Sequence, residues 1–394
     1  MRSMCLKSLR VAVFSLFLVF FFIRVHAQNA PENNNHNVRH DDKINPAKII
    51  LEHVSDAHEF HFFTFNEMEC TIPLPVLLYS PEKGFSSFMS SKFHHGEDAY
   101  NGYRLLEDKF MEEHKLDEVK DVKGQPLYDA GTIYAVDAQG MPDLRIKVYD
   151  FSLTKNVIQL FIALIVLVWI MIRIAKLYQK GQGSKTAPSG FQNAVEPVIT
   201  FVRDEVGKPN LGKKYEKYMP YLLTIFFFIL INNLMGLIPG TANVSGNIAF
   251  TAMLGIISFL VILFNSNRHF WKHIFNPPVP GFAKPILTPV ELLGIFTKPF
   301  ALIIRLFANM LSGHIIILSF ICLIFIFGSM NTALGWGTSP VFVLLAVFIY
   351  LIEILVAFIQ AFIFTNLTAV FIGQAFETGH EHADSHGHDQ AVYV

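Results

Sequence analysis

The stretch Pro285–Phe327 reads PILTPVELLGIFTKPFALIIRLFANMLSGHIIILSFICLIFIF and holds one arginine, Arg305, in the middle of an apolar run. A charge at bilayer depth costs at least ~2.5 kcal/mol on insertion scales, so Arg305 indicates a functional role. As one helix, residues 286–327 would span about 63 Å, roughly twice a ~30 Å hydrocarbon core. We therefore predict a helix that tilts steeply or bends, with Pro299 as its natural break.

The polar residues of this stretch recur at helical spacing. Along one face the sequence places Glu291, Lys298, Arg305, Asn309 and Ser312. His314 follows Arg305 by nine positions, which is about 180° around a helix at ~100° per residue. The pattern predicts one polar face and a histidine that serves a different neighbour. Glu291 and Lys298, seven residues apart on this face, are candidates for an ion pair.

The whole chain is too apolar for an ordinary soluble protein. Of its 394 residues 52% are hydrophobic, the mean hydropathy is +0.40 and the net charge is -1. No basic tract is large enough to indicate nucleic acid as a partner. We predict an all-α polytopic membrane protein, with its membrane domain at 151–376 and two long tilted helices at the end of that domain. Five spans are expected in the mature chain, at Val157–Ile172, Tyr221–Ile238, Ile248–Phe264, Pro285–Phe327 and Val341–Ile372.

The N-terminal part has a different composition. In residues 1–27, basic residues precede the apolar run 11–23 and a small-residue site near Ala27, which is typical of a cleaved secretory signal peptide. An uncleaved anchor is the alternative. Residues 28–150 are polar and predict a small exported α+β domain. Its predicted elements are strands at 59–65 and 72–79, a hairpin of 132–136 with 144–149, and a charged helix at 99–120.

Charge distribution predicts the topology of the spans. Basic residues follow the first span, at Arg173, Lys176, Lys180 and Lys185. By the positive-inside rule the end of that span is cytoplasmic, in agreement with export of residues 28–150. An apolar stripe over 191–206 indicates a helix in the cytoplasmic interface plane, with a soluble linker helix as the alternative. The basic loop 268–284 and the His-rich tail 377–394 are also expected on the cytoplasmic side.

Three separated motifs carry a family resemblance. They are Lys298-Pro299 through Arg305-Leu-Phe-Ala-Asn-Met to His314, then Glu353 with Gln360-Ala-Phe-Ile-Phe, and Asn232-Asn233-Leu-Met-Gly-Leu-Ile-Pro239 with Asn243–Asn247. Over residues 150–377 they resemble subunit a of the rotary ATP synthase membrane sector. The resemblance implies a stator, in a bacterial inner membrane, that passes protons through two half-channels to carboxylates on a rotating ring of c subunits. Further implied partners are peripheral-stalk b subunits, the lipid bilayer and, indirectly, the soluble catalytic head.

The same resemblance implies residues for ion translocation. Arg305 would face the ring, where a fixed charge favours ionisation of each arriving carboxylate and keeps the half-channels apart. His314 and Glu353 fall where the family more often has a carboxylate and then a histidine, so this chain carries the pair exchanged. They are candidates for the outer proton relay, with a plain helix–helix hydrogen bond as the alternative. The full candidate set is Arg305, His314, Glu353, Gln360, Asn309, Glu291, Lys298, Asn233 and Asn247.

Asparagines cluster at the outer end of the second and third predicted spans, at Asn232, Asn233 and Asn247. Interhelical hydrogen bonds would explain them, at about 0.6 kcal/mol each. Wetting of an access path for ions would explain them equally well. The sequence leaves both explanations open.

Several other functions are not supported. The chain has no Gly-x4-Gly-Lys-Ser/Thr loop, so we expect no nucleotide site, no catalysis by the chain itself and no cofactor. An intramembrane metalloprotease would require a His-Glu-x-x-His motif, which is absent. His53, His58 and His61 fit no single helix or strand face, so no metal site is predicted. A free-standing secondary ion transporter is the alternative function, but no internal repeat supports it.

Overall fold

The computed structural model of the protein describes most of the chain between residues 54 and 376. The described residues are 46, 50, 54–65, 68–94, 96–120, 126–137, 139–183, 186–188, 190–238, 241–266, 271, 275 and 284–376. The predicted signal peptide and the His-rich tail lie outside these residues, as does most of the basic loop 268–284.

The part of the chain before the first long helix contains short antiparallel sheets. The strands are β1 (Glu59–Phe65), β2 (Met68–Pro73), β3 (Pro75–Ser80), β4 (Gly84–Met89), β5 (Tyr103–Leu105), β6 (Ile133–Ala135) and β7 (Tyr149–Asp150), with helix α1 at Asp108–Glu113 and 3-10 turns at Ser90–Phe93 and Leu116–Glu118. β1 pairs with β2, β3 lies between β4 and β7, and β5 pairs with β6. Alternation along β3 buries Val76 and Leu78 in a cluster with Phe93 and Tyr103, so one face of its sheet covers a small core.

The predicted strand at 59–65 is confirmed. The predicted pairing of 132–136 with 144–149 is wrong, although the chain reverses at the predicted turn, where Val136 and Pro142 form an antiparallel bridge. β6 pairs with β5, and Tyr149 of β7 lies opposite Tyr79 of β3. The Asp137 carboxylate accepts hydrogen bonds from the backbone N–H groups of Gln139 and Met141. This local turn follows β6 directly and ends at the bridge between Val136 and Pro142, and the residues after Asp143 do not continue a ladder with β6.

Two further expectations for this region are wrong. The strand expected over 72–79 is split into β2 and β3, because Pro73 and Pro75 lack the N–H groups that a continuous ladder needs. The charged helix expected over 99–120 is confined to α1, because Asn101 and Gly102 adopt positive φ values of 52° and 75° and turn the chain into β5.

The rest of the described chain is helical. The elements are α2 (Lys155–Gln179), α3 (Phe191–Phe201), a π-helix (Val202–Gly207), α4 (Lys208–Leu211), a 3-10 turn (Gly212–Lys214), α5 (Tyr215–Gly236), a 3-10 turn (Val244–Gly246), α6 (Ile248–Asn265), α7 (Lys284–Met330) and α8 (Thr332–Phe376). The break expected at Pro299 is wrong, because α7 continues through it, whereas the steep tilt or bend of this helix stays a prediction. A membrane helix can tolerate the loss of the one backbone hydrogen bond that a proline removes, because neighbouring helices help to satisfy the freed carbonyl group.

Four helical segments of the described chain are long and apolar enough to cross a membrane. They are Lys155–Gln179, the continuous segment Phe191–Gly236, Leu287–Met330 and Thr332–Gln374, while Ile248–Phe264 is a shorter apolar helix. The protein is therefore a multi-pass helical membrane protein, and the number of five spans stays a prediction. Helices satisfy their backbone hydrogen bonds internally, which is what a lipid environment requires.

The long helices pack through small residues and aliphatic side chains. α7 buries Leu302, Leu306 and Met310, whereas α8 buries Ala357 and a further set of residues towards its C-terminal end. That set is Ala361, Phe364, Ala369 and Ile372. Much of the remaining surface of α7 and α8 is exposed and apolar, so it is suited to lipid or to another hydrophobic partner.

Candidate functional site

The polar face of α7 lies on the surface of the protein. Lys298, Arg305 and Asn309 are exposed, while Leu302 and Leu306 of the same helix are 4% and 1% exposed. Among the described residues, no carboxylate or carbonyl oxygen pairs with the Arg305 guanidinium. The structure therefore presents the Arg305 guanidinium, with Lys298 and Asn309, on an outward-facing side of a mostly apolar helix.

His314 lies on the opposite side of α7, as the nine-residue offset predicts, and there it meets α8 and α5. Its Nδ1 is 3.3 Å from Oε1 of Glu353, a residue only 4% exposed. Its Nε2 is 2.8 Å from the backbone carbonyl oxygen of Gly236 at the end of α5. One imidazole thus joins three helices, and the predicted His–Glu pair is in contact.

The hydrogen-bond partners of this imidazole determine where its protons can be. A carbonyl oxygen only accepts, so Nε2 of His314 must carry a hydrogen to bond the Gly236 carbonyl. Nδ1 can then face Oε1 in two ways: either the imidazole is neutral and Glu353 is protonated, or both ring nitrogens are protonated and Glu353 is ionised. The two arrangements differ only by the position of one proton, so the pair can hold and transfer one proton.

Gly313 makes room for the carboxylate of this pair. A Cβ atom added at Gly313 would overlap Oε1 of Glu353 and would lie 2.6 Å from its Cδ and 3.2 Å from its Cγ. Real Cβ atoms do not approach other heavy atoms so closely. Oε2 of Glu353 is buried and has no hydrogen-bond partner within the described structure. A buried oxygen of this kind marks a site where water or an incoming proton can bind.

A second set of buried polar residues lies beside the pair. Nδ2 of Asn233 donates to the Ala357 carbonyl of α8 at 3.2 Å, and Oδ1 of Asn233 accepts from the Ser245 hydroxyl at 2.6 Å. Asn233 is fully buried. Gln360, about two helical turns after Glu353 on the same side of α8, is 3% exposed. Asn233 thus forms the interhelical hydrogen bond that was one of its two explanations.

The loop between α5 and α6 closes over these residues. Nδ2 of Asn243 donates to the Met310 carbonyl of α7 at 3.2 Å, and Oδ1 of Asn247 accepts from the Ala249 N–H as the N-cap of α6. Gln159 of α2 holds the loop from the other side, because its amide both donates to the Ala242 carbonyl and accepts from the Ala242 N–H. We call His314, Glu353, Asn233, Ser245 and Asn243 the polar cluster.

The remaining predicted residues lie apart from this cluster. Lys298 Nζ is 5.1 Å from the ring centroid of Phe371, a cation–π contact with α8, and the described structure shows no ion pair between Lys298 and Glu291. Glu291 is half-buried near the start of α7. Sequence reasoning missed Gln159, Asn243 and Ser245 as site residues, although a glutamine in an apolar span is a usable signal.

Fold and site together define a class: a multi-pass helical membrane protein with an acid–imidazole pair buried between spans and an exposed arginine on its longest helix. The family model for the ATP synthase A chain matches residues 157–373. ATP synthase subunit a of Chloroherpeton thalassium is 45% identical over 325 residues, covering 82% of this chain and 95% of that protein. ATP synthase subunit a of Myxococcus xanthus is 40% identical over 258 residues, covering 63% of this chain and 80% of that protein. The chain therefore belongs to the ATP synthase A chain family.

A second family model matches residues 49–151 and is described as a Domain of unknown function (DUF8433). This match and the first divide the sequence close to the start of α2. The strands of the N-terminal part and the helices of the membrane part thus carry separate sequence signatures.

Proposed function

We propose that the chain is the stator subunit of the membrane sector of a rotary, F-type ATP synthase. It would conduct protons through two half-channels to and from the carboxylates of a rotating c ring, and so couple proton flow to ATP synthesis without binding a nucleotide itself. The observation that carries the proposal is the exposed Arg305 on the polar face of α7, a helix that is otherwise mostly apolar. A cation retained at membrane depth needs an anionic partner, and the described part of this chain offers none there.

The charge of Arg305 would attract a carboxylate of the ring and favour its ionised form. A carboxylate 4 Å from the guanidinium is attracted by about 4 kcal/mol at an effective dielectric constant of ~20. An opposite charge at that distance lowers the pKa of a carboxylic acid by about 1–3 units, so each ring acid would release its proton as it reaches Arg305. Arginine stays charged throughout, whereas a lysine in an apolar setting can lose its proton.

The His314–Glu353 pair supplies the proton relay of the outer half-channel in this proposal. The support is geometric: the two side chains are in contact, so one proton can lie between them, and a loop rich in amides covers them. Gln360 and Asn309 would lie along the path from this pair to the ring. Glu291 and Lys298, nearer the start of α7, would line the inner half-channel.

The proposed topology follows from the same function. The protein would be a multi-pass protein of a bacterial inner membrane, with residues 28–150 exported and the C-terminus cytoplasmic. Its partners would be the c ring beside α7 and α8, the b subunits of the peripheral stalk, the lipid bilayer and, indirectly, the soluble catalytic head.

The test is Arg305→Ala in the assembled complex. Loss of an attraction of about 4 kcal/mol corresponds to a rate lower by roughly a thousandfold, so ATP-driven acidification of inverted vesicles should disappear. Arg203→Ala is the matched control, because Arg203 already pairs with its neighbour Asp204 away from the polar face. Co-purification of the c subunit verifies assembly. Robust pumping by an assembled Arg305→Ala complex would contradict the assigned role.

A further inference from the structure

The three-stranded sheet of β4, β3 and β7 has an apolar face that is exposed on the surface of the protein. Its exposed side chains are Tyr79 (45%), Phe85 (66%), Met89 (43%), Tyr149 (42%) and, directly after β7, Phe151 (54%). We call this set the aromatic face. The opposite face of the same sheet holds Val76 and Leu78, both fully buried, so the sheet has apolar side chains on both sides.

The residues of the aromatic face are contiguous. Tyr79 lies opposite Phe85 on β4 and opposite Tyr149 on β7, and the two tyrosine rings are 6.3 Å apart. The Phe151 N–H donates to the Leu77 carbonyl at 2.8 Å, which keeps Phe151 in line with β3. A sheet face exposed to water ordinarily carries polar side chains, and a contiguous apolar patch marks an interaction surface.

This sheet lies next to the start of a membrane span. β7 ends at Asp150 and α2 begins at Lys155, so at most about 17 Å of extended chain separates them. The connection is held along its length, because Leu153 N–H donates to the Pro75 carbonyl and Lys155 N–H to the Ala57 carbonyl. The interfacial layer of a bilayer extends roughly 5–8 Å beyond the hydrocarbon core on each side. The aromatic face is therefore within reach of this layer.

We propose that the aromatic face inserts into the head-group layer of the bilayer leaflet in which α2 begins. Tyrosine suits this position, because its ring is apolar and its hydroxyl can hydrogen-bond to water or head groups. Exposed Lys147, two residues before Tyr149, and exposed Arg145 complement anionic phospholipid head groups. The lipid-facing surface of α2, with Ile165 66% exposed, continues the apolar surface into the membrane.

Insertion would hold the N-terminal part against the membrane at one orientation. The Asp56 carboxylate accepts from the N–H of Asn156 in the first turn of α2, so the sheet region also caps the helix. The domain of unknown function would thus act as a membrane-seated support for the start of α2. The proposal depends on α2 being a membrane span and not on ion conduction. Its test is therefore independent of the role proposed for Arg305.

The test measures membrane immersion by electron paramagnetic resonance. A nitroxide is attached at Ser87→Cys, an exposed position on β4 on the same side as Phe85, in the full chain with its own cysteines replaced by serine. Val119→Cys, 39% exposed and in none of the strands of this sheet, is the matched control. In vesicles of phosphatidylglycerol and phosphatidylcholine, the ratio of oxygen to nickel-complex collisions should be several-fold higher at residue 87 than at residue 119.

Two other outcomes would overturn the proposal. Equal, water-like ratios at both positions would mean that the face is solvated. Low collision rates with both reagents at residue 87 would mean that protein covers it, either a second copy of the chain or residues 28–53. In an Arg305→Ala background the ratio at residue 87 should stay unchanged, which separates this test from that of the proposed ion conduction.

Discussion

Adding one methyl group at Gly313 should uncouple the His–Glu pair. The glycine lies on α7 directly before His314, and its missing side chain leaves space for the Glu353 carboxylate of α8. Gly313→Ala keeps the helix and the two reacting groups and changes only their separation. Alanine also favours helix over glycine, so the backbone itself should not be destabilised.

The structure gives the size of the effect. The new Cβ would lie 2.6 Å from Cδ of Glu353, whereas carbon atoms in contact are about 3.5–4.0 Å apart, so the carboxylate must move by roughly 1 Å. Glu353 is 4% exposed and cannot turn into solvent. Overpacking of this kind costs about 1–3 kcal/mol, and a 1 Å misplacement of a reacting group can lower a rate by ~100-fold.

The assay is passive proton flux through reconstituted membrane sectors, with ATP-driven acidification as a second readout. Gly328→Ala is the matched control: it lies on the same helix, and its added Cβ would meet nothing within 4 Å. We expect Gly313→Ala to lower flux by 10- to 100-fold while Gly328→Ala stays near the parent rate. Equal flux in the two variants, with equal assembly, would refute the reasoning that the pair transfers the proton.

Two further predictions concern paired groups. Exchanging His314 and Glu353 for each other should retain more pumping than either single replacement, because one acid and one imidazole stay in contact; equal loss in all three variants would count against a coupled pair. Burial of Asp150 opposes its ionisation, but hydrogen bonds from His58 and Ser152 outweigh burial and lower its pKa. The ionised Asp150 carboxylate therefore adds to the free energy of unfolding at pH values above the ordinary aspartate pKa. This contribution is lost as the pH falls through the lowered pKa of Asp150 in the folded protein. Acidification should therefore reduce the melting temperature of the parent more than that of Asp150→Asn. An equal fall of melting temperature per pH unit in the two proteins would contradict this.

Helical periodicity predicted which polar residues share a surface. A nine-residue offset separates His314 from Arg305 by half a helical turn, and the structure has the arginine exposed and the histidine turned inward. This inference succeeded because side-chain direction in a helix depends only on position along it. The break expected at Pro299 did not occur, since α7 continues through this residue, and spacing alone cannot decide how a membrane helix accommodates a proline.

Other parts of the site could not be found by spacing. Gln159 and Ala242 are far apart in the chain, yet the glutamine satisfies both backbone groups of that alanine. Gly313 has no side chain to indicate a role, and its importance depends on a carboxylate that another helix places against it. Likewise the pairing of β6 with β5 was not predicted, because a strand of three residues carries too little pattern to choose its partner.

The family resemblance predicted ion-translocation roles for Arg305, His314 and Glu353. By itself, the sequence determined that the protein is a helical membrane protein and that Arg305 and His314 lie on opposite sides of one helix. These properties follow from hydropathy and from the fixed period of the α-helix. Only the tertiary structure decided that the imidazole bonds the Gly236 carbonyl and that Gly313 admits the carboxylate. Such contacts depend on how helices distant in sequence approach each other, and packing of many side chains, not local periodicity, determines that approach.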